Sequence, residues 1–250
     1  MTAAEIEREL KELRNDKQRD HLMRFFKTGK SEYGEGDRFL GLRVPQTRSI
    51  VKEAKHSVED KEIEKLLYSE WHEVRLCGLL LLVEEMKGNM PKKKDDVETL
   101  KIKESRREEL ALFYLRHARQ ANNWDLVDLS CEYILGVYIR LCGKEKYDIL
   151  YRLTESDNLW EQRIAIVTTL ELIRNGIFEP TFYISEKLID HPHDLIHKAI
   201  GWMLREVGKR NKDLLLDFLE KNSTRLPRTA LRYAIERLPE DERQYWLKRR

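Results

Sequence analysis

Apolar residues recur at helical spacing along almost the whole chain, and this regularity leaves few folds open. Ile164, Val167, Leu170 and Ile173 follow one such row, and Leu195, Ile196, Ala199, Ile200, Met203 and Leu204 another. Side chains three and four residues apart share one face of a helix, whereas a strand would alternate in twos, and no sustained alternation occurs. The 11 Gly and 6 Pro sit mainly at segment ends. Pro45, Pro91 and Pro180 read as first-turn prolines, while Asn158, Asp194 and Asn211 read as caps. The expectation is an all-α chain of about a dozen helices.

Repetition narrows this further. Trp71-His-Glu-Val74-Arg75-Leu76 and Trp124-Asp-Leu-Val127-Asp128-Leu129 share the pattern W-x-x-V-x-L. Asp128, Arg163 and Lys198 follow at steps of 35, and Arg228 lies 30 beyond. Arg75 precedes Asp128 by 53, an excess that the Lys-rich stretch 88–105 is long enough to supply as an insertion. Degenerate helix pairs of this period mark a HEAT-like solenoid, an α-α superhelix in which the second helix of each pair lines the inner face. We therefore expect a single domain over 1–250 with a concave basic face, along which Arg75, Asp128, Arg163, Lys198 and Arg228 form one column. One acid among four cations needs a reason.

Residues 221–250 hold nine Lys/Arg against four acids, although the whole chain is only +2. A basic end on a near-neutral body suits a polyanion, with a solvated helix face as the plain alternative. No run of apolar residues is long enough to span a bilayer, and the N-terminus is charged from its fifth residue, so we expect neither a membrane span nor a signal peptide. Cys77, Cys131 and Cys142 are odd in number and lack CxxC spacing, which favours small buried thiols in a reducing compartment over disulfides or zinc. Phosphate-binding and nucleophile-elbow motifs are missing. The histidines of HPHDLIH (191–197) suggest a metal only weakly, because no Glu or Cys completes a ligand set.

The segment NNWDLVDLS (122–130) holds the odd acid. Asn123 reads as a cap, Asp125 as a residue favouring the helix dipole, and Trp124 and Asp128, four apart, share a face. Taken alone, Trp124 and Trp202 read as core and Asp128 as a tie between repeats.

A resemblance changes that weighting. NNWDLVDLS, LWEQRIAIVTTLELIRNG (159–176), DLIHKAIGWMLREVGK (194–209), PRTALRYAIERLP (227–239) and FLGLRVPQTRSI (39–50) together resemble the DNA alkylation repair family of alkylpurine DNA glycosylases, the AlkD-like proteins. The likeness spans essentially the whole chain. It implies a HEAT-like solenoid gripping duplex DNA and removing purines alkylated at N3 or N7, with no metal or organic cofactor. Asp128 matches the family's catalytic acid. Trp124 and Trp202 match cleft aromatics, Phe25 is a candidate for another, and Arg163 and Arg205 match cleft arginines facing the DNA backbone. Lys198, Arg228 and Arg232, with Arg43 and Arg48 at the N-terminal end, complete the expected phosphate contacts. A cytoplasmic, nucleoid-associated monomer is the corresponding setting. Two other readings stay open: a non-catalytic relative that binds damaged or branched DNA, and a helical scaffold for an acidic protein.

Overall fold

A computed structural model describes residues 1–249. Its regular elements are helices, with one isolated bridge between Arg38 and Trp71. This is the all-α helical-repeat architecture that the periodicity predicts. No helix among the described residues is long and apolar enough to cross a membrane. Contacts divide the chain into two compact units, Met1–Ile134 and Leu135–Arg250.

The first unit comprises α1 (Ala3–Glu12), α2 (Asp16–Phe25), α3 (Val44–Ala54), α4 (Asp60–Leu67), α5 (His72–Gly88), α6 (Val97–Arg116) and α7 (Trp124–Asp128). Helix α5 is its axis. Every residue from His72 to Val83 is buried, and α1, α3, α4, α6 and α7 pack around it. A helix apolar on all sides is stable only when enclosed in this way. Helix α2 is the opposite case, with no buried residue. It is held at its start, where the Asn15 amide donates to Leu40 O at 3.0 Å. Gly41 permits this approach: its φ is +91°, and a Cβ there would lie 2.1 Å from Asn15 O.

The second unit comprises α8 (Val137–Cys142), α9 (Tyr147–Thr154), α10 (Leu159–Arg174), α11 (Glu179–Lys187), α12 (Asp194–Gly208), α13 (Lys212–Asn222), α14 (Arg228–Ala234) and α15 (Glu240–Lys248). Helix α9 packs on α10, α11 on α12, and α10, α12 and α14 pack in succession. Arg163 and Lys198 stand at the same place in α10 and α12, so here the 35-residue step is the structural repeat.

Local punctuation follows the sequence in most places. The Asn158 side chain accepts from the Trp160 and Glu161 amides at 2.9 and 3.1 Å, and Asn211 accepts from Leu214 at 3.1 Å. Pro45 and Pro180 lie in the first turns of α3 and α11. Pro91 does not open a helix; it lies in the loop before α6, which Asp96 caps. His193, not Asp194, caps α12, with Nδ1 accepting from the Leu195 amide at 3.1 Å. The Lys-rich stretch 88–105 is the α5–α6 loop followed by the first turns of α6, and Lys103 is clasped to Asp95 at 2.6 Å.

Candidate functional site

Helix α7 is five residues long, and Asp128 is its last residue, not an early residue of a long helix. A turn at Leu129–Ser130 and a π-helical turn over Glu132–Gly136 follow. So short a helix cannot hold its own direction, because nucleation costs more than one turn of hydrogen bonds returns. Its direction comes from its tertiary ties, the buried Leu126 and Val127 and the side chains fixed at its start among them.

Those ties are dense. Asn123 is fully buried and caps α7, with Oδ1 accepting from the Trp124 amide at 2.9 Å. Asp125 is 6% exposed; one oxygen accepts from the Leu126 amide at 2.9 Å and the other lies 2.9 Å from His72 Nε2. On the far side of that ring, His72 Nδ1 lies 2.7 Å from Asp37, which also accepts from Arg75 Nη2 at 2.5 Å. Carboxylates accept and do not donate, so both ring nitrogens must carry protons and His72 is an imidazolium. Burial opposes that charge, but Asp125 and then Asp37 outweigh it and push the pKa up to about 10. For Asp37 burial likewise opposes ionisation, and His72 and Arg75 together lower its pKa below the usual carboxylate range. Two cations and two anions make a neutral buried quartet.

Aromatic rings cover the quartet. Trp124 stacks on Phe26 (centroids 5.1 Å), Phe26 on Phe39 (5.1 Å), and Phe39 on His72 (4.3 Å). Phe25 meets Trp124 edge-on at 5.8 Å and is 56% exposed, so the structure joins these two predicted aromatics on an accessible surface. Aromatic pairs of this kind contribute about 0.5–1.5 kcal/mol beyond area burial. Asp128, one turn from Trp124, is half-buried. Its charge is close enough to raise the Tyr114 phenol pKa further, after burial and Cys131.

The expected cations fall into three groups. Arg75 and Arg163 are buried, each 5% exposed, where an open cation was expected. Arg75 is bound to Asp37 and to Ser69 O, and Arg163 Nη1 donates to Leu195 O at 2.6 Å, fastening the start of α12. A buried guanidinium engaged with backbone is a fastener and is not presented as a phosphate contact. Lys198 and Arg205 carry acid partners, Asp194 at 2.8 Å and Glu236 respectively. Trp202, one turn before Arg205 on α12, is half-buried. Arg43, Arg48, Arg228 and Arg232 are exposed; Arg228 reaches Leu247 O, and Arg43, Arg48 and Arg232 have no ion pair among the described residues.

Three basic residues carry no signal beyond their spacing. Lys17, His21 and Arg24 follow one face of α2 and, with Asn15, Gln18 and Arg43, line an open depression of about 590 Å³. Their i, i+4, i+7 spacing was the available signal. The histidines of 191–197 act locally: His191 Nδ1 accepts from the His193 amide at 3.0 Å, and His197 Nε2 lies 2.5 Å from His191 O.

A solved structure described as a predicted DNA alkylation repair enzyme from Enterococcus faecalis is similar at a TM-score of 0.65 and 18% identity. That match covers 91% of this chain and 97% of the other, and at this identity it shows a shared fold. No curated protein matches. The family model described as DNA alkylation repair enzyme matches residues 6–238, and the chain therefore belongs to that family.

Proposed function

We propose that the chain is a DNA glycosylase that releases purines made cationic by alkylation at N3 or N7 from duplex DNA, with Asp128 as its catalytic carboxylate. The observation that carries this reading is a half-buried acid one helical turn from Trp124, whose ring adjoins the exposed Phe25, in a member of a DNA alkylation repair family.

The chemistry suits those residue types. A 7-alkylguanine already bears positive charge, so it leaves neutral when the C1′–N9 electron pair goes to the base, and no general acid is needed. Positive charge then grows on the deoxyribose. A fixed carboxylate stabilises that charge and orients the water that adds to C1′, the water's proton passing to solvent. The products are the free base and an abasic site. Losing one such electrostatic stabiliser raises the barrier by about 3–4 kcal/mol, or roughly a hundred- to thousand-fold in rate. Indole and phenyl faces add stacking and cation–π attraction. By the family resemblance Trp202 is a further aromatic residue proposed to meet the lesion.

Phosphate contacts position the duplex without reading sequence. Arg43, Arg48, Arg228 and Arg232, with Lys17, His21 and Arg24, suit this role as they stand, whereas Lys198 and Arg205 must exchange acid partners for phosphate. The proposed setting is a monomer in the cytoplasm, associated with the nucleoid.

The test is release of 7-methylguanine from methylated duplex DNA by the protein and by Asp128→Asn. Loss of release with duplex binding retained is expected. Equal release by both would remove Asp128 from the mechanism. Salt-sensitive binding with no release by either would leave a DNA-binding protein.

A further inference from the structure

We propose that His72 is a positioning residue for the reaction: it grips Asp125 and Asp37 at once and thereby sets the direction of α7, and with it the placement of Trp124 and Asp128. The proposal rests on the reading of Asp128 given above.

Four observations converge on that one ring. Asp125, the residue after Trp124, is bound to His72 Nε2 at 2.9 Å. Asp37, at Nδ1 on the ring's other side, also receives the Asn123 amide nitrogen at 3.5 Å, so the cap of α7 is tied to the same acid. The imidazole is stacked on Phe39 at 4.3 Å and packed beside Phe26 at 5.1 Å, and Phe26 carries the Trp124 indole. Finally, the ring stands on the first residue of α5, the buried axis of the unit, where the His72 amide donates to Arg38 O at 2.7 Å. The ring is rigidly mounted and reaches both sides of the α7 start.

Further along, α7 is held by its buried Leu126 and Val127 and by Ser130 Oγ, which donates to Leu126 O at 2.5 Å, whereas His72 holds its start. The closing bonds of α7 run from the Val127 amide to Asn123 O and from the Leu129 amide to Asp125 O, at 3.2 and 2.9 Å. Both acceptors belong to residues that the quartet holds. If the imidazolium is lost, two buried carboxylates repel each other, and the cheapest relief is rotation of Asp125 toward water. That rotation turns the helix start. Asp128 lies one turn further on, so its carboxylate moves relative to the sugar. A displacement of about 1 Å at a reacting centre costs on the order of a hundredfold in rate while leaving remote binding contacts intact.

The experiment uses the full chain and His72→Gln. Single-turnover excision of 7-methylguanine, duplex binding, and amide exchange at Val127 and Leu129 are measured well below the unfolding temperature. Expected are a loss of about a hundredfold in the chemical step, unchanged duplex affinity, and faster exchange at Val127 and Leu129 with the α5 interior still protected. Unchanged chemistry in a folded protein overturns the proposal. So does a loss that merely tracks global unfolding, with exchange rising equally throughout. If His72→Gln does not fold, Asp125→Asn is measured in the same way, because it keeps the His72–Asp37–Arg75 part of the quartet. Should Asp128→Asn release base normally, the enzymatic reading fails separately. In that case faster exchange at Val127 and Leu129 still supports the tie, and unchanged exchange overturns it.

Discussion

Replacing Gly201 by alanine tests whether α12 and α14 are packed backbone to backbone beside Trp202. A Cβ on Gly201 would lie 2.4 Å from Ala230 O, 2.5 Å from Tyr233 Cβ and 3.0 Å from Ala230 Cα. Ordinary carbon contacts need ~3.5–4.0 Å, so the two helices must part by about 1 Å. Two effects compete. Alanine is favoured over glycine within a helix by about 1 kcal/mol. Overpacking against backbone, which cannot swing aside, costs ~1–3 kcal/mol and sometimes more. Parting the helices also weakens the dispersion contacts between the packed α12 and α14, since a gap of about 0.5–1 Å forfeits a quarter to a half of each contact. The unfavourable terms win, and a net loss of about 2 kcal/mol follows. For a chain of this size that corresponds to roughly 4–8 °C in melting temperature. Urea unfolding should be followed by a probe within the second unit, because two units need not unfold together. The indoles of Trp160, Trp202 and Trp246 serve. A variant as stable as the parent, or more so, would refute a backbone-to-backbone contact between Gly201 and Ala230.

Two further outcomes follow from the charges. His72 has a folded pKa of about 10 against 6.5 for the free ring, so its contribution is complete below pH 6.5 and is lost as pH rises through 10. Urea midpoints of the parent and His72→Gln should converge between those pH values, and a constant gap would refute the imidazolium. Arg232→Gln should reduce the salt slope of duplex binding by about 0.9, as one phosphate contact requires. Arg163→Gln should leave that slope unchanged and lower stability, because Arg163 is spent on Leu195 O; a reduced slope for Arg163→Gln would restore it to the DNA contacts.

The helices were legible because their signals are local: a row of apolar residues or an Asn before a turn carries its meaning within a few positions. Arg163 was not legible in that way. Whether a cation near the start of a repeat helix meets solvent or a neighbour's carbonyl depends on Leu195, 32 residues away. The His72 quartet depends on partners 35 and 53 residues distant, yet one clue to it was present. Trp71-His72 and Trp124-Asp125 hold the same place in the two W-x-x-V-x-L segments, and these segments meet through their second residues, a base against an acid. The same alignment bears on Asp128. Its counterpart is Arg75, which is buried and consumed in fastening Asp37. In the second segment the fastening to α5 is made by Asp125, which meets His72. Asp128 is half-buried at that place, and under the function proposed above it stabilises the charge that grows on the deoxyribose.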